Sequence, residues 1–158
     1  MRTIQETIDI PASTAAVWRV LTATQHYGAW NPFIPRLEGE LRTGGRLHLT
    51  IRPPGRSMTY TARVLAVEEE HLLQWRGRLG VPGILDDEHE FRLHPLPDGR
   101  TRFTQSGSFT GVLVPLVSGV LDDTRIGFAQ MNQAMKRRAV TAPPRPRREP
   151  GRVGPASY

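Results

Sequence analysis

Alternating apolar and polar side chains predict one strand at the start of the chain and several in its middle. Residues 3–10 place Ile4, Ile8 and Ile10 on one face, which indicates a half-buried strand ended by Pro11. Six further strand-like segments follow between residues 34 and 109, separated by Gly- and Pro-rich turns. Because parallel pairing needs long crossovers, these short turns predict an antiparallel meander, and about seven strands in all.

Helical spacing occurs before and after this strand region. Ser13 is placed to cap a short helix with Val17, Trp18 and Leu21 on one side, and a second helical turn is expected near residues 25–30. A long helix is predicted with Pro115 in its first turn. Its predicted apolar face contains Leu116, Val117, Val120, Leu121, Thr124, Phe128, Met131 and Met135, and its polar face includes Asn132. We therefore expect an α+β fold in which this helix covers the apolar face of the sheet.

Composition limits the organisation of the chain. Its 158 residues suit one domain, predicted over residues 1–140, and residues 141–158 are a Pro- and Arg-rich segment predicted to be a disordered tail. The formal charge is +6, and half of it lies in that tail. Since no basic stripe with interleaved aromatic residues occurs in the remainder, nucleic acid is not an expected partner.

The sequence lacks the residues or motifs that several kinds of site require. The chain has no cysteine, which excludes disulfides, thiolate metal sites and a cysteine nucleophile. No apolar run reaches the roughly 18 residues of a membrane span, and no secretory signal is recognisable, so the expected compartment is the cytoplasm. The spacing of histidine and acidic residues fits no metal site, and no cofactor is expected.

Several motifs together resemble the START-like superfamily (SRPBCC), which includes birch-pollen-allergen-like and polyketide cyclase/dehydratase-like proteins. The resemblance covers residues 3–139. It is carried by Ile8-Asp9-Ile10-Pro11, residues 17–22, Tyr27-Gly28-Ala29-Trp30-Asn31-Pro32-Phe33, residues 73–79, Glu88-His89-Glu90-Phe91, residues 99–105 and residues 127–132. It implies a helix-grip fold, a curved sheet around a long C-terminal helix with a cavity between them. Members carry lipids, bind hormones or cyclise polyketides, so the resemblance implies no single activity.

Strand parity, together with this resemblance, predicts which side chains line the cavity. Inward glycines at 77 and 107 are expected to leave room that larger side chains would fill. The predicted ligand-binding residues are Trp30, Phe33, Ile34, Met58, Tyr60, Trp75, Gly77, His89, Phe91, Gln105, Gly107, Phe109, Phe128, Met131 and Met135.

Polar groups on the inward faces are the candidates for chemistry. His89 and Tyr60 are the predicted catalytic residues, since an imidazole can accept or donate a proton near neutral pH. Gln105 and Arg63 are the next candidates for chemistry, although strand parity places Arg63 on the face opposite to Tyr60. The acidic residues 86–88 are interpreted as solvated residues at a strand start.

Three functions fit the sequence. The first is binding of a hydrophobic small molecule that is lipid-, polyketide- or isoprenoid-like. The second is a polyketide cyclase or dehydratase that uses pocket shape and one acid/base residue, without metal or covalent intermediate. The third is a protein-interaction module that uses a sheet edge or the tail. Both a monomer and a homodimer fit the sequence.

Overall fold

The computed structural model of the chain describes residues 1–79 and 81–141. Apart from Thr141, the predicted tail lies outside these residues and stays a prediction. The strands are β1 (Arg2–Ile10), β2 (Arg36–Gly39), β3 (Arg46–Ile51), β4 (Met58–Glu68), β5 (Leu72–Leu79), β6 (Leu85–Pro95) and β7 (Thr101–Thr110). The helices are α1 (Thr14–Thr22), α2 (Tyr27–Trp30) and α3 (Ser118–Thr141), with 3₁₀ turns at Thr24–His26 and Val114–Val117.

The seven strands form one antiparallel sheet in the order β1-β7-β6-β5-β4-β3-β2. Strands β2 to β7 pair with their neighbours in sequence, which confirms the predicted meander, and β1 closes the other edge by pairing with β7. The register shifts between Val64 and Ala66, where Leu65 forms a bulge. The sheet curves around α3, and the helix-grip α+β fold is as predicted from the sequence.

Helix α3 packs its apolar face against the concave side of the sheet. Phe128, Met131 and Met135 are fully buried there. Two assignments to the helix faces were wrong. Leu116 is 79% exposed, because it belongs to the 3₁₀ turn before α3. Asn132 is buried, and its amide donates to the Glu6 carbonyl at 3.1 Å, because the buried face is wide enough to reach β1 as well.

Local hydrogen bonds fix the short helices and the loop that follows them. The Ser13 hydroxyl accepts from the Ala16 amide at 3.2 Å, which confirms the predicted helix cap. The Asn31 carbonyl oxygen accepts from the Phe33 and Ile34 amides at 3.1 and 2.8 Å. This Asx-type turn directs Phe33 into the interior. In the described part of the chain, no helix is both long and apolar enough to cross a membrane.

Candidate ligand cavity

A cavity of about 130 Å³ lies between the sheet and the first turns of α3. Its walls are mostly aromatic and aliphatic, and its polar groups come from four side chains, Tyr60, Asp87, His89 and Thr124. The complete lining is Phe33, Ile51, Met58, Tyr60, Leu85, Asp87, His89, Phe109, Val117, Val120, Leu121, Thr124 and Phe128. An apolar enclosure with few polar groups is the usual composition of a small-molecule site.

Cross-strand register explains why these polar groups meet. Asp87 lies between Gly77 on β5 and Phe109 on β7, and two residues further along β6, His89 lies between Trp75 and Gly107. Because residues two apart on a strand share a face, Asp87 and His89 both point inward. Each stands beside a glycine, which leaves space on the inner face for a neighbouring side chain.

Tyr60 and Asp87 form a polar pair above Gly77. A Cβ atom at Gly77 would lie 2.1 Å from Asp87 Oδ1 and 2.4 Å from Tyr60 Cε2, so both side chains occupy the space that the glycine leaves. The Tyr60 hydroxyl donates toward the Asp87 carboxylate. Burial raises the pKa of Asp87 to about 6, although the bond from Tyr60 opposes this rise. Burial and the adjacent carboxylate raise the pKa of Tyr60 well above its usual value.

His89 is enclosed by rings and is only 3% exposed. It stacks on Trp75 with ring centroids 5.0 Å apart, and Phe91 and Phe128 lie at 4.7 and 4.9 Å. Its Nε2 lies 3.0 Å from Gln105 Nε2, so the amide donates and His89 Nε2 accepts. Burial lowers the pKa of His89 to about 3. The imidazole is therefore neutral at physiological pH and a weak base.

The structure brings only some of the predicted ligand-binding residues to the cavity. Six of them line it, namely Phe33, Met58, Tyr60, His89, Phe109 and Phe128. Six others pack in the closed core beside it, namely Ile34, Trp75, Phe91, Gln105, Met131 and Met135. Arg63, the weakest candidate for chemistry, is exposed on the outer face, and its guanidinium donates to the Gly44 carbonyl.

The expectation that Gly77 and Gly107 open the cavity was wrong. Neither position faces empty space, since Tyr60 and Asp87 fill the room above Gly77. A Cβ at Gly107 would lie 3.0 Å from Phe109 and 3.1 Å from Phe128. The glycines instead allow large neighbouring side chains to pack directly against the backbone of the sheet.

Sequence reasoning missed part of the lining. Asp87 is half-buried at the cavity wall, so its interpretation as a solvated residue was wrong, although its parity with His89 could have identified it. Ile51 shares the inward parity of Leu47 and Leu49 and could have been found in the same way. Val117, Val120, Leu121 and Thr124 were placed on the apolar face of the last helix but not at the cavity.

Loop hydrogen bonds join the segment before α3 to the loop before β6. The amide of Val112 donates to the Gly83 carbonyl at 3.0 Å, and that of Leu113 donates to Ile84 at 3.1 Å. Gly111 makes this approach possible, because its φ is +121° and a Cβ there would lie 2.4 Å from the Ile84 carbonyl oxygen. The segment that leads into α3 is thus held against the β5–β6 loop.

Trp30 lies at a different depression, at the opposite end of α3. That cavity has a volume of about 340 Å³ and is lined by Arg19, Val20, Ala23, His26, Trp30, Arg138 and Thr141. Trp30 packs edge-on against Tyr27 there, at 5.3 Å. Although larger, this cavity is not enclosed between sheet and helix, so we place the candidate site at the smaller one. No group of three or more potential metal ligands occurs within residues 1–79 and 81–141.

A curved antiparallel sheet that holds a long C-terminal helix over an apolar cavity defines a helix-grip protein with a START-type ligand-binding fold. The sequence profile for the family described as "Polyketide cyclase / dehydrase and lipid transport" matches residues 1–140. The chain belongs to this family. No curated protein sequence matches the chain.

Solved structures share the fold at low sequence identity. Zhui aromatase/cyclase from Streptomyces sp. R1128 is 18% identical, with 88% of this chain and 93% of that chain covered and a TM-score of 0.72. A norcoclaurine synthase point mutant from Thalictrum flavum is 16% identical, with 88% and 94% covered and a TM-score of 0.68. A START superfamily protein from Mycobacterium smegmatis is 19% identical, with 87% and 97% covered and a TM-score of 0.67. At these identities the likeness concerns the fold alone.

Proposed function

We propose that the protein binds a small, mostly apolar molecule in the cavity between the sheet and α3, with its one polar end at Tyr60 and Asp87. The observation that carries this proposal is an apolar space between the sheet and α3, with three of its four polar side chains on the sheet. Membership in a family described by polyketide cyclisation and lipid transport agrees with an apolar ligand.

The size of the cavity favours a compact ligand. An apolar protein cavity of about 150 Å³ is large enough for benzene. Drug-sized ligands occupy roughly 300 Å³ or more. At about 130 Å³, the space suits one ring with a short substituent better than a full-length lipid chain. The proposed ligand is therefore a small member of the lipid-, polyketide- or isoprenoid-like class expected from the sequence.

Titration calorimetry with benzyl alcohol tests this proposal. Val120 lines the cavity, so V120F should fill part of it and weaken binding by about tenfold or more. Ile126 lies on the same helix and is 50% exposed, so I126F adds the same ring outside the cavity and should bind like the parent protein. Binding that is absent in the parent protein, or equal in both variants, would contradict the proposal.

A second candidate function is acid/base chemistry on the bound molecule, and the Tyr60–Asp87 pair favours it. A carboxyl group whose pKa is raised to about 6 can exchange protons near neutral pH, and it borders the ligand space. His89, by contrast, is a poor base at neutral pH because burial lowers its pKa to about 3. Deuterium exchange at the carbon beside the carbonyl of acetophenone, followed by NMR, checks this function. The expected result is exchange that D87N abolishes, and exchange no faster than in buffer would exclude it.

A further inference from the structure

Asp87 differs from the acidic residues beside it in having no cationic partner. Asp86 pairs with Arg78 at 2.9 Å, and Glu88 pairs with Arg76 at 2.7 Å. Within the described residues, no arginine, lysine or histidine nitrogen lies within 4.0 Å of the Asp87 carboxylate.

The alternation of the strand explains this difference. Residues 86 and 88 point to the outer face of the sheet, where β5 supplies an arginine opposite each of them. On the inner face, the residue opposite Asp87 is Gly77, which has no side chain. The donors that bond to the carboxylate are the Tyr60 hydroxyl and the backbone amides of Gly77 and Asp87 itself, and all of them are neutral.

We propose that the cavity selects a small apolar molecule that carries an ammonium group, with the nitrogen held against the Asp87 carboxylate. The inference rests on the proposed binding function and names the chemical class of its ligand. A carboxylate at an apolar wall without a counter-ion is unfavourable, and an ammonium group supplies the missing positive charge. An aliphatic amine is protonated at neutral pH, as the lysine side chain is.

The rest of the cavity fits the same ligand. The rings of Phe33, Phe109 and Phe128 line it, and aromatic faces attract a nearby cation while packing against an apolar body. A neutral ligand of the same shape would leave the carboxylate without a counter-charge. The ammonium group thus adds an interaction that the alcohol cannot make.

The other charged groups around the cavity do not compete for this role. His89 is neutral above about pH 4, since its pKa is lowered to about 3 by burial, and Tyr60 keeps its proton because its pKa is raised. On the inner face, β5 and β7 present Gly77 and Phe109 beside Asp87, and neither is charged. The acidic groups on α3 and the outer face are paired, Asp86 with Arg78, Asp122 with Arg2 and Asp123 with Arg56.

Titration calorimetry with benzylamine and benzyl alcohol, which share one shape, tests the proposal. At pH 7.5 benzylamine should bind at least about tenfold tighter. At pH 5, below the Asp87 pKa of about 6, this preference should fall by about tenfold, while the affinity for benzyl alcohol does not fall. D87N should remove the preference at pH 7.5. D86N, which changes the neighbouring carboxylate on the outer face, should keep the preference.

Each outcome decides between the proposals. Equal affinities for the two ligands, or a preference that survives in D87N, would overturn the ammonium assignment while leaving the binding function in place. Binding of neither ligand would overturn both. If D87N does not fold, the pH profile of the parent protein still decides, because a preference unchanged between pH 7.5 and pH 5 excludes Asp87 as its source.

Discussion

At the scale of single residues, the two inward polar groups of β6 have opposite electrostatic consequences. Burial raises the pKa of Asp87 from 3.8 to about 6 and lowers that of His89 from 6.5 to about 3. Between pH 3.8 and about 6, the folded protein holds a proton on Asp87 that the unfolded chain has released. Between about pH 3 and pH 6.5, it lacks a proton on His89 that the unfolded chain has taken up. The two groups therefore affect stability in opposite directions as the pH changes.

The contribution of Asp87 to stability is present below about pH 4 and is lost as the pH rises through about 6. The contribution of His89 is present above about pH 6.5 and is lost as the pH falls toward 3. Acidification from pH 7 to pH 4.5 should therefore lower the free energy of unfolding more in D87N than in the parent protein. In H89Q the same acidification should lower it less, or raise it. Urea unfolding at several pH values measures how steeply the free energy of unfolding changes with pH in each variant.

D86N is the control for this prediction. The bond from Arg78 lowers the pKa of Asp86, so its titration lies below the pH range compared. Its slope should match that of the parent protein. Parallel slopes in D87N, H89Q and the parent protein would show that neither buried group titrates as described.

At the scale of elements, helix α3 is the part whose packing determines the cavity. Two glycines lie in it with different surroundings. A Cβ at Gly119 would meet nothing within 4 Å, whereas one at Gly127 would lie 2.3 Å from Phe33 Cδ2. Phe33 packs edge-on against Phe128 at 5.4 Å and lines the cavity, so any shift of its ring reaches the ligand space.

The pair G119A and G127A separates helix propensity from packing. Alanine favours a helix, so G119A should raise the free energy of unfolding by about 0.5 kcal/mol. G127A gains the same helix propensity but must displace the Phe33 ring. It should therefore lower the free energy of unfolding by about 1–3 kcal/mol. Chemical denaturation measures both. A G127A variant as stable as G119A would mean that Phe33 is not fixed against the helix.

The elements could be predicted because their patterns are local. The Ser13 cap, the alternation along β3 and β7 and the apolar face of α3 depend on neighbours a few residues away in sequence. The cavity lining depends on which side chains fill the space between elements. Gly77 illustrates this limit, because inward parity identified it correctly but could not reveal that Tyr60 and Asp87 occupy its space.

At the scale of the whole molecule, the fold followed from the order of elements, but the ligand space did not. A meander closed by β1 and covered by a long helix has one concave apolar face, and the sequence contains enough information to predict it. Most of that face, including Trp75 and Phe91, is packed solid. The candidate ligand space lies at one end, where Val117 and the first turns of α3 face β6.

The central claim is that this space between Tyr60, Asp87 and the first turns of α3 binds the ligand. NMR of the methyl-labelled protein with saturating benzyl alcohol tests it directly. Nuclear Overhauser effects from the ring protons should reach the methyl groups of Val120 and Leu121, which line the cavity. They should not reach Leu73, which lies in the closed core, or Val20, which lines the second cavity. Effects at Val20 alone, or none at saturation, would contradict the account.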